Sequence, residues 1–228
     1  MEDYSSESFA DFRKVNVFGT LNLAQQAALA GVKRFIFLSS IKVNGESTSD
    51  NFYFSADDAP APVSLYGISK AEAEAGLKKL SETTDMEFTI IRAPLIYGAG
   101  AKGNISMLLK WINRGLPLPL RLVKNNRRSL VAIDNLVNLI FTCVDNPNAR
   151  NQVFLVSDGE DLSTAELTLR LGKVLKRPVF LLPIPEVVLN FMARMLGKEE
   201  FVDRLVGSLR VDISKTCELL NWRPPISV

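Results

Sequence analysis

The sequence predicts an α/β fold in which a doubly wound parallel sheet is followed by a smaller, mixed α/β lobe. Two apolar runs, 34–40 and 88–92, each follow a segment of helical periodicity, so helix and strand alternate along the first part of the chain. After residue 93 the predicted elements become shorter and mixed in type. We therefore divide the chain into 1–95, the sheet domain, and 96–228, the C-terminal lobe.

The first predicted element is a long amphipathic helix over 9–30. Apolar residues recur there at helical spacing, and Gly31 stands where a helix would stop. The apolar run 34–40 then suits a buried parallel strand. Ser39 and Ser40 lie at the carboxyl end of that strand.

A polar loop over 42–62 separates this strand from the next helix. Ser64 is typical of a helix N-cap, and the helix that it opens is expected to continue to residue 80. The strand 88–92 follows. Because ligands of doubly wound sheets gather at the carboxyl ends of the strands, Ser40 and the segment after Arg92 are candidates for a site.

The C-terminal lobe is predicted to contain three helices and a strand, near 105–114, 135–145, 163–175 and 152–156 respectively. The third helix opens with Ser163 and Glu166 at capping-box spacing. A capping box satisfies backbone donors at a helix start, so we interpret these two side chains as structural.

The amino-acid composition limits the kinds of partner and of catalytic residue that the chain can use. The chain has 228 residues, 27 basic and 25 acidic, and its net charge of +2 is too balanced to argue for nucleic acid or a membrane surface as partner. The chain contains no histidine, which excludes His-based triads and His metal sites. Tyr, Lys, Ser, Asp and Glu remain to move protons, and no metal site is predicted.

The two cysteines, Cys143 and Cys217, lie in apolar helical patterns without a C-x-x-C partner. Buried free thiols in a reducing compartment are the favoured interpretation. No apolar run approaches the roughly 18 to 20 residues that cross a bilayer, and the N-terminus lacks the pattern of a signal peptide. We therefore predict a cytoplasmic location.

Tyr66 and Lys70 are the strongest catalytic candidates. They are four positions apart, so on a helix their side chains lie on one face, one turn apart. A nearby cation favours the phenolate form of a tyrosine, which makes it usable as an acid or base. By chance alone such a spacing would arise in roughly a quarter of chains of this composition. Ser40 strengthens the hypothesis because its hydroxyl could hold a substrate oxygen, although a turn is the simpler explanation of Ser39 and Ser40.

Four segments resemble the extended short-chain dehydrogenase/reductases, in particular their nucleotide-sugar epimerase/dehydratase branch. In chain order they read VNVFGT, FLSS, YGISK and RAPLIYG, at 15–20, 37–40, 66–70 and 92–98. Their order and spacing agree over nearly the whole chain. The resemblance implies a Rossmann-like domain that uses NAD or NADP, with a nucleoside-diphosphate sugar as substrate.

The resemblance also implies roles for single residues. Tyr66 would be the acid/base and Lys70 would hold the nicotinamide ribose, while Ser40 would bind the reacting sugar oxygen. Asn16 would support the proton relay, and helix packing is an equal alternative for it. The residues expected at the cofactor are Lys70, Tyr66, Ser39, Arg92 and Pro94.

A basic stretch suits the diphosphate of such a substrate. Between Glu87 and Asp134 the chain has no acidic residue but eight cations, namely Arg92, Lys102, Lys110, Arg114, Arg121, Lys124, Arg127 and Arg128. Guanidinium groups bind phosphates through charge-assisted bonds. The resemblance places Arg128 and Asn104 at the diphosphate, with Arg204 as a second arginine. The alternative is a solvated basic face.

The resemblance has gaps. Dehydratases of the family carry Asp-Glu directly after the Ser/Thr, whereas this chain has Ile41 and Lys42 there, so dehydration is disfavoured. The motif G-x-G-x-x-G occurs at 98–103, but no acid follows about 20 positions later, and we interpret it as a flexible substrate loop. The family's glycine-rich turn falls outside this chain, which we interpret as a piece of a longer enzyme. The chain alone is therefore not expected to hold the full NAD(P) site.

These observations predict a 4-epimerase or a 4-ketoreductase acting on a UDP-hexose, with a Tyr/Lys/Ser proton relay. The resemblance also suggests a homodimer. The alternative is a non-catalytic nucleotide-binding or scaffold protein derived from the same family.

Overall fold

A computed structural model gives the structure of residues 6–49, 51–100, 104–197 and 199–228. The helices are α1 Ser6–Phe12, α2 Thr20–Leu29, α3 Leu65–Glu82, α4 Asn104–Asn113, α5 Ile133–Asp145, α6 Thr164–Val174, α7 Glu186–Met195, α8 Glu199–Val206 and α9 Ser214–Leu220. The strands are β1 Arg34–Ser40, β2 Glu87–Ala93, β3 Leu95–Tyr97, β4 Arg128–Ala132, β5 Gln152–Leu155 and β6 Asp161–Leu162.

The first sheet is parallel and has the strand order β1-β2-β5. Ser40 pairs with Ala93, and Arg92 pairs with Leu155, so the carboxyl ends of the three strands meet at one edge. Successive side chains of a strand point to opposite faces of the sheet, and helices cover both faces of this one. Ile90 packs with the α2 and α3 residues, and Ile91 packs with the α5 residues. The predicted α/β class with a parallel sheet is confirmed.

The strand predicted at 152–156 is present as β5, and it joins the first sheet. The sequence-based division assigns it to the C-terminal lobe, whereas β5 pairs with β2 in the first sheet. The chain returns to this sheet through α5, whose buried face packs on the same side as Ile91. A second sheet is formed by β3 and β4 in parallel and by β4 and β6 in antiparallel orientation. The division at residue 95 itself stays a prediction.

The long first helix contains a π-helical segment. The helical run predicted over 9–30 is observed as α1, the π-helical segment Arg13–Gly19 and α2, in direct succession. Such segments widen the helix locally and are frequent at functional sites. Asn16 lies in this segment.

The α3 helix begins where the sequence predicted. The Ser64 hydroxyl accepts a hydrogen bond from the Gly67 N–H at 3.3 Å, and it donates to Glu46 Oε1 at 2.6 Å. The capping box predicted at Ser163 and Glu166 is likewise present at the start of α6. Both caps follow from short polar side chains that satisfy the free N–H groups of a helix start.

Gly67 lets α3 approach the end of β1 closely. A short 3₁₀ turn, Ile41–Val43, follows β1 and packs against the first turn of α3. A Cβ atom at Gly67 would lie 2.7 Å from the Lys42 carbonyl oxygen, which is closer than real Cβ contacts. Because Gly67 has no side chain, the first turn of α3, which carries Tyr66, can lie close to the end of β1.

We expect Gly67→Ala to lower the free energy of unfolding by about 1–3 kcal/mol, the usual range for overpacking against a group that cannot move away. Helix propensity alone predicts the opposite sign, a gain of roughly 1 kcal/mol. Urea unfolding of both proteins measures the difference. Gly76→Ala is the matched control, because there the new Cβ meets the end of the flexible Leu21 side chain, which can move away, rather than backbone. A stabilised Gly67→Ala variant would contradict the close packing.

Cys143 and Cys217 are both free, as predicted, and Cys143 is buried whereas Cys217 is half-buried. Burial raises the pKa of Cys143 to about 11, so about one thiol in a thousand is ionised at pH 8. We expect iodoacetamide to leave Cys143 unmodified in the native protein at that pH and to label it in urea, as peptide mass spectrometry would show. Rapid labelling of native Cys143, ahead of Cys217, would contradict this placement.

The described residues contain neither a cluster suited to a metal ion nor a helix suited to a membrane. Within them, no group of three or more His, Cys, Asp and Glu side chains is arranged to hold a metal ion. None of the helices in the same ranges combines the length and the apolar character that a membrane span requires.

Candidate active site

Tyr66 and Lys70 lie on α3 and face the carboxyl half of β1. The Lys70 ammonium donates a hydrogen bond to the Leu38 carbonyl oxygen at 3.1 Å. It lies 4.5 Å from the centre of the Phe37 ring and 6.0 Å from that of the Tyr66 ring. The helical spacing predicted for the Tyr66 and Lys70 side chains is therefore realised, with the cation beside the phenol ring.

Two opposing effects act on the charge of Lys70. Burial lowers its pKa, because an ammonium loses water when it is covered by protein. The Glu74 carboxylate acts in the opposite direction and favours the charged form. Glu74 stands one further turn along α3, so Tyr66, Lys70 and Glu74 form one row on the helix.

Ser40 ends β1 and caps the 3₁₀ turn that follows. Its hydroxyl oxygen accepts a hydrogen bond from the Lys42 N–H at 3.2 Å. A hydroxyl has one donor besides its acceptor sites, so this contact leaves the Ser40 proton able to donate to a substrate oxygen. The turn expected as the simpler explanation of Ser40 is thus present, and the contact of Ser40 with a substrate oxygen stays a prediction.

Asn16 contacts α3 next to the candidate catalytic residues. Its side-chain amide donates to the Ser69 hydroxyl at 3.0 Å, and Ser69 in turn donates to the Tyr66 carbonyl oxygen at 2.8 Å. The neighbouring Arg13 forms an ion pair with Glu72 at 2.8 Å. Both contacts hold the π-helical segment against α3. The packing alternative for Asn16 is therefore realised, and its part in a proton relay stays a prediction.

Ser39 and Arg92 face the protein interior rather than an open cofactor site. The Ser39 hydroxyl donates to Glu74 Oε1 at 2.6 Å, and the Arg92 guanidinium pairs with the same carboxylate at 2.7 Å. Both side chains are buried, and so is Pro94. Both side chains are engaged with Glu74, and the cofactor contacts expected of Ser39, Arg92 and Pro94 stay predictions.

Arg128 and Arg204, both expected at the diphosphate, are brought together. Arg128 begins β4 and donates to the Gly207 carbonyl oxygen at 3.0 Å. Burial lowers its pKa, and the positive charge of Arg204 on α8 lowers it further. Glu46 acts in the opposite direction. The combined positive charge of half-buried Arg128 and exposed Arg204 would favour an anionic ligand.

The rest of the basic stretch is distributed differently. Asn104 begins α4, and its side chain lies outside the described residues, as does Lys102. Arg127 turns toward Glu166 at 3.5 Å and toward the carbonyl oxygens of Lys124 and Asn126. The glycine-rich segment at 98–103 lies partly outside the described residues, so its interpretation as a substrate loop stays a prediction.

Sequence reasoning missed three polar residues around this site: Asn44, Glu46 and Glu74. Glu74 could have been found, because it continues the spacing of Tyr66 and Lys70 on a helix face that packs on a strand. Glu46 forms an ion pair with Lys42 at 3.3 Å. Lys42 stands at a position where the family resemblance leads one to expect an acid in dehydratases.

Comparison with known proteins decides the family. The model of the NAD dependent epimerase/dehydratase family matches residues 2–157. A UDP-glucose 4-epimerase of Vibrio cholerae is 49% identical over 225 residues, which make up 99% of this chain and 69% of that relative. The chain belongs to the NAD-dependent epimerase/dehydratase family. The resemblance inferred from four sequence segments is confirmed, as is NAD as the cofactor of the family.

Two further matches agree with this assignment, and one of them is named for a different substrate. An N-acetyl-alpha-D-glucosaminyl-diphospho-ditrans,octacis-undecaprenol 4-epimerase of Escherichia coli O157:H7 is 31% identical over 185 residues, which are 80% of this chain and 53% of that relative. A UDP-glucose 4-epimerase of Thermotoga maritima, solved with UDP-glucose, is similar to this structure with a TM-score of 0.74 at 23% identity. The match covers 96% of this chain and 67% of that protein's chain. This last likeness supports the fold of the epimerase/dehydratase chain.

The Lys70 side chain, which reaches β1 from α3, has hydrogen-bond donors that fit a nicotinamide cofactor. An ammonium carries three donors, and the bond to Leu38 uses one of them, so Lys70 has donors for ribose hydroxyls. Lys70 is therefore the residue at this site that would hold the nicotinamide ribose of NAD, and a cofactor contact of Tyr66 stays a prediction.

Proposed function

We propose that this protein is an NAD-dependent 4-epimerase of a UDP-hexose. The observation that carries the proposal is the placement of Tyr66, Lys70 and Ser40 at one sheet edge, in a chain 49% identical to a UDP-glucose 4-epimerase. Bound NAD would supply the exchange of a hydride with C4 of the sugar. The protein's own residues then have to bind the sugar and move the proton of the C4 hydroxyl.

In this proposal Tyr66 takes the C4 hydroxyl proton and later returns it. Ser40 donates a hydrogen bond to the same sugar oxygen while its own oxygen stays fixed by the Lys42 N–H. Lys70 keeps a positive charge next to the phenol, which stabilises the phenolate that forms when Tyr66 gives up a proton. Proton transfer by a positioned side chain contributes typically about 10²–10⁴-fold to a rate.

Arg128 and Arg204 would bind the diphosphate of the substrate, with Asn104 at the start of α4. The Arg128 position is supported by its partly buried environment next to a second positive charge. A diphosphate would offer charge-assisted acceptors to both guanidinium groups. UDP is the nucleotide we propose, because the Vibrio cholerae relative is a UDP-glucose 4-epimerase.

Dehydration is not proposed, because the position that a base would need carries Lys42. Its ammonium forms an ion pair with Glu46 at 3.3 Å. A 4-ketoreductase shares the same proton relay, and one relative of this chain is a dTDP-4-dehydro-6-deoxyglucose reductase, at 25% identity. The homodimer and the cytoplasmic location stay predictions, as do the lack of a nucleic-acid or membrane partner and the domain division.

The experiment is an incubation of the purified full-length protein with UDP-glucose and catalytic NAD, followed by chromatography of the sugar nucleotides. The proposal predicts formation of UDP-galactose without net consumption of cofactor. Net oxidation of NAD(P)H with a UDP-4-keto sugar would instead support a reductase. If the protein binds UDP but shows neither reaction, the non-catalytic alternative replaces the proposal.

A further inference from the structure

We propose that Glu74 and Arg92 form a buried positioning unit, which holds the helix of Tyr66 and Lys70 in register with the strand end that carries Ser40. The inference rests on the proposed function, because it assigns a role in that same site. It concerns two side chains that touch neither substrate nor cofactor and act through their neighbours.

The pairing of these two side chains is close and fully enclosed. Arg92 Nη2 lies 2.7 Å from Glu74 Oε2, and Arg92 Nε lies 3.0 Å from Oε1 and 3.2 Å from Oε2. Each side chain is 2% exposed. The guanidinium thus grips both carboxylate oxygens, which fixes the direction of both side chains as well as their distance.

The remaining polar atoms of the unit reach two further elements. Glu74 Oε1 accepts the Ser39 hydroxyl at 2.6 Å, and Arg92 Nη1 donates to Asn44 Oδ1 at 3.0 Å. Asn44 in turn donates to the Ser55 carbonyl oxygen at 2.8 Å. A single carboxylate therefore connects α3, both strand ends and the loop after the 3₁₀ turn.

The position of the unit links it to both halves of the candidate site. Ser39, which contacts Glu74, is the residue before Ser40 on β1. Glu74 stands one helical turn after Lys70 on α3. A displacement of the Glu74 carboxylate would therefore move the two elements that carry the proton relay relative to one another, and misplacement by about 1 Å can cost about 10²-fold in rate.

Stability by itself does not require this ion pair. Burying two charges removes both from water, and replacement of such a pair by apolar residues of similar volume is often neutral or stabilising. The orientation that the bidentate pairing imposes is what an apolar replacement would lose. Glu74 also favours the charged form of Lys70, against the effect of burial.

The test is the double variant Glu74→Met/Arg92→Met, compared with the wild-type protein by urea unfolding, UDP affinity and epimerase kinetics. The proposal predicts an unchanged unfolding midpoint and UDP affinity, KM for UDP-glucose within about 3-fold, and kcat lower by about 10- to 100-fold. A merely structural pair predicts an unchanged kcat in the folded variant. That outcome would overturn the proposal.

The chain offers a matched control at the opposite ends of the same strands. Arg34 at the start of β1 pairs with Glu87 at the start of β2 at 2.7 Å. The variant Arg34→Met/Glu87→Met removes an ion pair between the same two strands, away from Ser40. Its kcat per folded molecule is expected to equal that of the wild-type protein.

Two further variants keep the proposal testable if the double variant does not fold. Arg92→Lys keeps the charge but loses the bidentate grip, and Ser39→Ala removes one donor to Glu74. Each is expected to lower kcat by a smaller factor than the double variant, with KM unchanged. Wild-type kcat in both would overturn the proposal.

A readout that needs no turnover separates this proposal from the proposed function. Acetylation of Lys70 is followed by mass spectrometry as a function of pH, in the wild-type protein and in Glu74→Met/Arg92→Met, or in Ser39→Ala if the double variant is unfolded. Loss of the Glu74 carboxylate in the double variant, or its displacement in Ser39→Ala, is expected to shift the acetylation profile of Lys70 to lower pH, because that carboxylate favours the charged form of Lys70. An inactive wild-type protein with this shift would refute only the function, and an unshifted profile would overturn the positioning unit.

Discussion

Replacing Tyr66 by Phe is expected to lower kcat for UDP-glucose epimerisation by about 10²–10⁴-fold, the contribution that a positioned acid or base makes to proton transfer. The substitution removes only the hydroxyl. The ring keeps its edge-to-face contact with Phe12, whose centroid lies 6.0 Å away. The affinities for UDP and NAD and the unfolding midpoint are therefore expected to stay at their wild-type values.

The control for this result is Tyr53→Phe. Tyr53 is exposed, and its ring lies under the Arg210 guanidinium at 3.8 Å, a contact that phenylalanine preserves. Steady-state kinetics of the two variants should therefore differ by orders of magnitude although each loses one phenol group. A Tyr66→Phe variant with near wild-type kcat would remove Tyr66 from the mechanism.

Replacing Arg128 by Met is expected to weaken UDP binding by about 10- to 100-fold. Hydrogen bonds to charged groups contribute about 1.5–3 kcal/mol each, and about 1.4 kcal/mol corresponds to a factor of ten in affinity. Isothermal titration with UDP measures this effect without turnover. Arg204→Met is expected to change the affinity in the same direction and by less, because Arg204 is the more exposed of the two side chains.

Arg210→Met is the matched control for Arg128→Met. Arg210 is a nearby arginine whose charge is already paired with Asp161 at 3.0 Å. Loss of that ion pair is expected to leave the affinity for UDP unchanged. Equal UDP affinity in the Arg128 and Arg210 variants would place the diphosphate elsewhere.

Most of the sheet domain could be predicted from sequence because its signals are local. The strand 34–40 was predicted with its observed bounds, and α3 begins after the predicted cap Ser64. The pairing of β5 with β2 could not be predicted. It depends on a contact between residues far apart in the chain, whereas hydrophobic periodicity reports only the type of an element and not its partner.

The candidate site was predictable where a motif spacing maps directly onto one helix face, as for Tyr66 and Lys70. The site could not be predicted where the direction of a side chain determines which partner that side chain contacts. Arg92 and Ser39 follow the family pattern of a cofactor site, yet both turn toward Glu74. The position of Glu74 in the folded protein decides the direction of both side chains. The sequence predicts which face of the helix carries Glu74 but not which residues this face contacts.

The most direct measurement for the proposed chemistry uses UDP-glucose labelled with deuterium at C4. Incubation with the protein and NAD is expected to give UDP-galactose that keeps the label at C4, because the hydrogen leaves and returns to the same carbon without entering solvent. The Tyr66→Phe variant is expected to give no labelled product in the same time. Loss of the label to water, or net consumption of reduced cofactor, would contradict a 4-epimerase with a Tyr66 proton relay.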